Sequence, residues 1–474
     1  MSSGTTQKTS RLKRWTAIIL CLGLLTCFAC LTSVDHTPYL ESDYFKQTLA
    51  AIENQTSAGM PPDPSTLYVG TGKTSIIPQI TGAAKQVEQG TFPGLPLGGY
   101  GARKGAAATG TLDPLHVKAL WLKSGEMEGA IVAMDMLTPP FEMIDRFREE
   151  VSKRLGLPPG RFFFGATHSH SAPGGWAQGL VGEAFAGPYE PGFNDWLMER
   201  VFESLESARQ SLQPAAIAFA EDAMPDWTHN RLVHEQGIEH PWLQSIFIQP
   251  ESGPLITIGS YAAHATVMGS GSMQFCGDYP GHWAQAVESE TGGFAMFLAG
   301  GVGSHSPTVK TKGHAAAEEM GQALASQTIQ QWKATTFEKK VPFSWVEWDI
   351  FLPEPHVRLG GNIRLRPWLS GKLLPIESSV PLPGLRLGNL LLIGTPCDFS
   401  GEIASGLREH FLVNGFHSMI TSFNGDYVGY VVPQKYYYLN EYESKIMSFY
   451  GPSTAPYLTD MIRRLGHQLM GSIE

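Results

Sequence analysis

The chain of 474 residues is short of charge. Only 16% of it is Asp, Glu, Lys or Arg, against roughly 25% in an average soluble domain. Its 34 basic residues are outnumbered by 44 acidic ones, for a formal net charge of −10. The clustered Lys and Arg that neutralise phosphates are missing, which excludes nucleic acid as a partner. Cysteine is scarce as well. Of five, Cys21, Cys27 and Cys30 lie in one apolar run near the N-terminus. Cys27 and Cys30 spell C-x-x-C, but inside an apolar run this is coincidence rather than redox or zinc chemistry. Cys276 and Cys397 alone cannot form the disulfide framework of a small secreted fold, although an oxidising compartment would allow them to pair. No H-E-x-x-H, G-x-S-x-G, Walker A or Rossmann fingerprint occurs. That removes the helical zincin site, the nucleophile elbow of α/β-hydrolases and the common nucleotide-binding loops. Internal repeats are absent, and the glycines have no period of three, which excludes collagen.

What is present is apolar residues, glycine and proline. Hydrophobic residues make up 42% of the chain, enough to bury a large core and exclude wholesale disorder. The 52 glycines and 33 prolines amount to roughly 18% of the chain, where roughly 12% is usual. Few charges and many glycines suggest buried strands joined by tight, shaped loops.

At the N-terminus, Lys8, Arg11, Lys13 and Arg14 precede the apolar run Trp15 to Val34. That run is about long enough to span a bilayer as a helix, with the basic flank cytoplasmic. Three readings stay open: an uncleaved anchor, a cleaved signal peptide, or a lipoprotein with Ala29 before Cys30. Each exports the rest of the chain, to the periplasm or the cell exterior. Residues 1–34 are therefore read as a membrane anchor or signal segment. Residues 35–66, with Pro61-Pro62-Asp63-Pro64, are read as a connecting segment. Residues 67–474 contain no clear linker and are read as one domain. Without the four basic residues before Trp15 the net charge drops to −14, which disfavours simple electrostatic docking on anionic lipid. The Pro-, Arg- and Trp-rich stretch from about Pro353 to Pro383 is the best candidate for an insertion.

One pattern recurs through the domain: an apolar run ends in a loop of Gly, Ser, His or Asp. Phe162–Gly165 leads to Thr167-His168-Ser169-His170, and Leu255–Ile258 leads through Tyr261 to His264. Phe294–Leu298 leads to Gly300-Gly301-Val302-Gly303-Ser304-His305-Ser306-Pro307. Leu390–Ile393 leads to Cys397-Asp398-Phe399-Ser400-Gly401-Glu402, and Ser418–Ser422 to Asn424-Gly425-Asp426-Tyr427. Helical patterns fall between, over Phe141–Leu155, Asp195–Leu212, His282–Glu290, His314–Trp332 and Glu402–Phe411. This predicts an α/β fold: a large mixed or mostly parallel β-sheet with helices on both faces. Sites in such sheets gather beyond the carboxyl ends of strands, where the polar residues cluster here.

His168 and His170 stand two apart at a strand end, so both point to one side of extended chain. Neutral imidazoles are good zinc ligands. The plainer reading is a loop with two hydrogen-bonded histidines. His264 is, by itself, as readily a satisfied core histidine. Glu402 starts a helix, where an acidic residue is favoured by the helix dipole whatever its function. Tyr427, Tyr430, Tyr437 and Tyr442 sit in an aromatic stretch where packing alone explains most tyrosines. Spacing alone thus leads to an exported α/β enzyme with a zinc-hydrolase site as one option.

At these loops the chain resembles the N-terminal catalytic domain of the neutral ceramidases. Gly98-Gly99-Tyr100-Gly101 resembles their early glycine-tyrosine loop. Gly165-Ala166-Thr167-His168-Ser169-His170-Ser171-Ala172-Pro173-Gly174-Gly175 resembles the family's ATHTHSGPGG. His229-Asn230-Arg231, Ala263-His264-Ala265-Thr266 with Gly277-Asp278, and Gly401-Glu402 followed by Gly429-Tyr430-Val431-Val432 and Tyr442 resemble its Asn-Arg, AVHGTS…SGD and PGEF…GYVTT…YEGAS segments. The matches span about Tyr68 to Leu465. The resemblance implies one zinc ion, held by His168, His264, Glu402 and Tyr430. It also implies that His170 contacts the reacting centre, that Arg231 and Tyr442 surround the substrate amide, and that Ser306 is the serine of the family's GDVSP motif. The implied activity is hydrolysis of a lipid N-acyl amide, ceramide to sphingosine and fatty acid. The alternatives are hydrolysis of another N-acyl amide or ester, and a non-catalytic, membrane-anchored lipid-binding protein. Ser304 stands where GDVSP has Asp, His305 is new, and the segment between Ser306 and Glu402 is shorter than in typical members. Typical members continue into an immunoglobulin-like C-terminal domain, which is expected to be absent here.

Overall fold

A computed structural model describes residues 28–55, 63–374 and 378–471, together with Trp15, Thr16 and Ile18. Twelve strands and seven helices form its frame. The strands are β1 (Ser65–Ser75), β2 (His116–Ser124), β3 (Met127–Met134), β4 (Phe162–Ala166), β5 (Gln213–Ala223), β6 (Trp242–Pro250), β7 (Ile256–Tyr261), β8 (Phe294–Ala299), β9 (Phe343–Phe351), β10 (Ser379–Leu387), β11 (Leu390–Gly394) and β12 (His417–Thr421). The helices are α1 (Asp43–Gln55), α2 (Phe141–Leu155), α3 (Phe193–Gln210), α4 (Asp278–Thr291), α5 (His314–Ala334), α6 (Gly401–Val413) and α7 (Thr454–Met470). The elements read from the apolar runs and helical periods all appear, shifted by a few residues at their ends.

Of the two expected forms, mixed or mostly parallel, the large sheet is mixed, and it is joined by a second sheet that was not expected. β1 to β8 build a nine-stranded sheet in the order β8-β7-β6-β5-β1-β2-β3-β4, with Lys340–Val341 pairing beside β1. Only β7/β8 and β3/β4 are parallel; the other pairs are antiparallel. A second sheet, β9-β10-β11-β12, is antiparallel except for β11/β12. The two sheets pack face to face. Leu67, Val69, Leu120, Leu122, Ile246 and Leu298 of the large sheet meet Phe343, Trp345, Leu385, Leu392 and Met419 of the small one. Alternate residues of the same strands point outward. Val117, Ala119, Trp121 and Val132 pack under α2 and α3, and Ala295 and Phe297 under α4 and α5. Leu382, Leu391 and Ile393 pack under α6 and α7. Helices therefore cover the outer face of each sheet, not both faces of one.

The ends of the large sheet also approach each other. Gly165 on β4 lies where a Cβ would meet the Leu298 side chain of β8 at 2.5 Å, so only glycine lets these strands come this close. Asn424, in the loop after β12, stitches the junction. Its amide donates to Phe164 O at 2.7 Å and its oxygen accepts from Thr395 N–H at 3.0 Å. The carboxyl ends of β4, β7, β8, β11 and β12 are thereby gathered in one place.

Residue 17 and residues 19–27 of the N-terminal apolar run lie outside the described residues. Among the described residues no helix is long and apolar enough to cross a membrane. The end of the run is folded onto the body: Leu31–Ser33 pairs with Ile363–Leu365, and Val34 is buried. Val34, where the N-terminal segment is read to end, thus lies within this packed stretch. The segment read as a connection contributes α1, whose Phe45 joins the second core and whose Thr48 bonds the Tyr457 hydroxyl at 2.7 Å. The stretch read as an insertion ends earlier than Pro383, because β10 begins at Ser379 and buries Val380 and Leu382. Cys276 and Cys397 are buried and unpaired.

Candidate metal centre

His168 follows β4 at a φ of 60°. This left-handed conformation costs a non-glycine residue roughly 1 kcal/mol or more. It is held by stacking on Phe423, at 4.0 Å between ring centroids and 13° between planes. Nδ1 of His168 donates to Leu137 O at 2.7 Å, which leaves Nε2 facing inward without a proton. His264, from the loop after β7, has the same arrangement. Its Nδ1 donates to Val302 O at 2.8 Å, with His305 O at 3.1 Å. Nε2 again faces inward. Fixing the tautomer through the far nitrogen is what metal-ligating imidazoles do.

The third inward atom is Oδ1 of Asp398. It lies 3.2 Å from His264 Nε2 and 3.6 Å from His168 Nε2, and it has no hydrogen-bond partner. Oδ2 accepts the Tyr427 hydroxyl at 2.7 Å. Asp398 is only 1% exposed. A short parallel pairing of Asp398–Phe399 with Tyr430–Val431 puts Asp398 and Tyr430 in register beside the histidines. The Tyr430 hydroxyl sits 3.0 Å from His264 Nε2.

Three acceptor atoms thus converge with their protons committed elsewhere. Burial, followed by nearby Arg231, pushes His264 well below the ordinary imidazole range. Burial pushes His168 down to about 3, even though Asp398 beside it pulls upward. Imidazolium protons therefore do not relieve the convergence at neutral pH. The Tyr430 hydroxyl can donate to His264 Nε2, and burial raises the Asp398 carboxyl pKa. A cation would meet all three acceptors at once, and two imidazoles with oxygen donors suit zinc.

His170 stands beside this centre, its Nε2 3.3 Å from that of His168. Its Nδ1 has no hydrogen-bond partner. Burial, and then its neighbours His168, His264 and Arg231, keep it neutral. Gly99 caps this ring at a φ of 95°, where a Cβ would lie 2.3 Å from His170 Nδ1. The Tyr100 ring packs against His170 at 4.8 Å. Arg231 reaches in from the other side. It donates to the Tyr430 hydroxyl at 3.2 Å, lies 3.4 Å from Ser306 Oγ and pairs with Glu443 at 2.6 Å. Burial opposes its charge, but Tyr430 and Glu443 more than offset this and raise its pKa. Tyr442 approaches edge-on to Tyr430, with ring centroids 5.8 Å apart, and is half exposed.

The structure therefore brings together His168, His170, His264, Tyr430 and Arg231, with Ser306 and Tyr442 at the edge. It does not bring Glu402 to them. The Glu402 carboxylate is taken by Lys435 Nζ at 2.5 Å and Ile238 N–H at 3.3 Å. The carboxylate that faces the histidines belongs to Asp398, four residues earlier. A signal for it was available: Pro396-Cys397-Asp398-Phe399 repeats the order of the family's PGEF, with the acid directly before Phe. Glu443 and Tyr427 had no comparable signal. Ser304, at the family's Asp position, bonds Ser400 Oγ at 2.8 Å and His305 Nδ1 at 3.0 Å. His305 spends its other nitrogen on the N–H of His240 at 2.9 Å, so this new histidine is a buried strut.

By sequence, neither a family model nor a curated protein matches the chain. Solved structures similar in fold include two ceramidases. One is neutral ceramidase from Pseudomonas aeruginosa, with a TM-score of 0.70 and 18% identity over 87% of this chain and 76% of that one. The other is a ceramidase complexed with C2, with a TM-score of 0.70 and 16% identity over 88% of this chain and 77% of that one. At this identity the likeness establishes a shared fold.

Proposed function

We propose that the chain is a zinc-dependent amidohydrolase that cleaves the N-acyl amide bond of a lipid, with ceramide as the first candidate substrate. The observation that carries this reading is the convergence of His168 Nε2, His264 Nε2 and the unpartnered Asp398 Oδ1 at a buried point of a fold similar to that of neutral ceramidase. These three residues would hold the ion, with the Tyr430 phenol as a further oxygen donor. Asp398 takes the role first given to Glu402. Zinc held by these residues would supply Lewis-acid chemistry, making a water acidic enough to ionise near about pH 7.

The side chains supply the rest. His170 is neutral and turns Nε2 toward the centre, so that nitrogen would take a proton from water and return it to the departing amine. Arg231, oriented by Glu443, presents its guanidinium beside Ser306 and holds the polar part of the substrate. The Tyr442 phenol, its pKa raised by burial, stays protonated and can donate to the developing oxyanion. Leu180 is 91% and Ile446 63% exposed. Leu180 lies on the helix Gly179–Ala186, whose Phe185 packs against Tyr427, and Ile446 ends the turn begun by Tyr442. Both offer apolar surface to an acyl chain. The basic residues before Trp15 and the apolar run that follows support export, with the hydrolase held at or released from the outer side of a membrane.

The uncharged, hydrogen-bonded Ser304 favours a second reading, a related hydrolase with a different N-acyl amide or ester as substrate. One experiment addresses both. Purified protein is assayed for bound zinc, then for release of fatty acid from fluorescent ceramide and from a panel of N-acyl amino acids and esters. Zinc-dependent release of sphingosine is expected. Turnover only of other N-acyl compounds selects the second reading. Full turnover of ceramide by metal-free protein would overturn the mechanism.

A further inference from the structure

A second cluster of metal-binding side chains lies apart from the histidine site. Asp113, Cys276, His282 and His314 place one donor atom each within 4.8 Å of one another. They come from four places in the fold. Asp113 lies between the short strand Gly110–Thr111 and β2. Cys276 directly follows Gln274–Phe275, which pairs with that short strand. His282 lies in the second turn of α4, and His314 opens α5. His314 Nε2 is 3.1 Å from Asp113 Oδ1, and His282 Nε2 is 3.8 Å from Asp113 Oδ2. A tetrahedral ion with bonds of about 2.1 Å has ligand–ligand edges of about 3.4 Å. These spacings bracket that value.

The cluster is also incomplete as a hydrogen-bond network. Asp113 and His282 are each more than nine-tenths buried. Asp113 Oδ2 and His282 Nε2 nevertheless have no hydrogen-bond partner and face one another. Such groups are costly to leave unmet inside a protein. Cys276 is fully buried beside them. One sulfur, two imidazoles and one carboxylate are too soft a set for magnesium or calcium, and they suit zinc. With four protein donors, the site has no open position for substrate.

We infer that Asp113, Cys276, His282 and His314 form a second, structural zinc site. Coordination would release the Cys276 thiol proton to solvent. Its position gives it a task. The Cys276 carbonyl accepts from Ser169 Oγ at 2.7 Å, and its N–H donates to Ser171 O at 2.9 Å. These two serines flank His170 and alternate with the histidines of the first site. An ion on Cys276 would brace the loop that carries His168 and His170. The inference does not depend on the identity of the substrate or on hydrolysis.

The test uses the full chain, stripped with chelator and reloaded with Zn2+ or Co2+. Wild type should bind two equivalents of zinc. His168→Ala, Cys276→Ser and His314→Ala should each bind one. The cobalt form should show a near-ultraviolet sulfur-to-cobalt charge-transfer band that survives His168→Ala and vanishes in Cys276→Ser. His314 is part-exposed, so His314→Ala keeps the test informative where Cys276→Ser fails to fold. Zinc content unchanged by His314→Ala, or a cobalt spectrum without a sulfur band in wild type, would overturn the inference.

Discussion

Exchanging Asp398 for Asn separates the metal reading from a merely structural one, because the two predict opposite signs. In the metal-free protein Asp398 Oδ1 is buried, faced by two imidazole acceptors and without a hydrogen-bond partner, and burial pushes its carboxyl pKa up. An unmet buried acceptor costs about 1–3 kcal/mol. Asn keeps an oxygen for the Tyr427 hydroxyl and turns an N–H₂ toward His264 Nε2, 3.2 Å away in wild type. Chelator-treated Asp398→Asn should therefore be at least as stable as wild type, and by this reasoning about 1 kcal/mol more stable. With zinc the order reverses. A ligand at 1,000 times its Kd stabilises by about 4 kcal/mol. Losing even an outer-shell partner weakens metal binding about 10- to 100-fold, or about 1.4–2.7 kcal/mol, and a direct ligand should cost at least that. Thermal melts of both proteins, stripped and zinc-loaded, read the difference, and elemental analysis should show one equivalent of zinc lost. Glu402→Gln is the control. Its buried carboxylate is taken by Lys435 and the Ile238 N–H rather than by the histidines, so the exchange should leave zinc content unchanged. Zinc loss in Glu402→Gln with full retention in Asp398→Asn would refute the assignment.

Other consequences can be measured on the same preparations. Arg231→Lys cannot serve Tyr430, Ser306 and Glu443 together, because an ammonium lacks the guanidinium fork. It should lower kcat/KM about 10- to 100-fold with zinc retained, and an unchanged kcat/KM would remove Arg231 from the site. Gly99→Ala places a Cβ on His170 at a backbone angle alanine resists, so activity should fall about 100-fold while zinc content stays constant. Wild-type activity in that variant would show that His170 is free to move or is not used. Burial pushes His116, His240 and His356 down to about 4 and His305 to about 3. Their stabilising share is whole above about pH 6.5, where folded and unfolded chains are both neutral. Below that the unfolded chain takes up protons first, so stability falls by up to about 1.4 kcal/mol per pH unit for each histidine until its folded pKa is passed. The Tm should drop steadily from pH 6.5 to 4, and a constant Tm over that window would contradict the buried neutral state.

The contrast between Asp398 and Glu402 shows what one chain can and cannot reveal. His168 and His264 were legible because each ends an apolar run, and a strand end is where a side chain is offered to a site. For the carboxylate the resemblance gave Glu402, whereas the structure turns Asp398 toward the histidines. Glu402 starts a helix behind the N-cap Ser400, whose Oγ accepts the Glu402 N–H. An acid there is explained by the helix dipole alone, whereas Asp398 sits in a two-residue pairing too short to leave a period. The second sheet was hidden for a related reason. Leu390 and Leu392 face the large sheet while Leu391 and Ile393 face helices. A strand buried on both sides reads as one apolar run whatever covers it, so periodicity cannot tell a sheet from a helix on either face. The proposed second zinc site lies beyond the reach of spacing altogether. Asp113 and His314 are 201 residues apart, and their meeting requires that the short strand Gly110–Thr111 pair with Gln274–Phe275 while α4 and α5 pack together. Where both centres lean on one loop, through Ser169 and Ser171, loss of the buried sulfur site should loosen His168 and His170 without touching them. This coupling follows from the fold and not from either set of ligands.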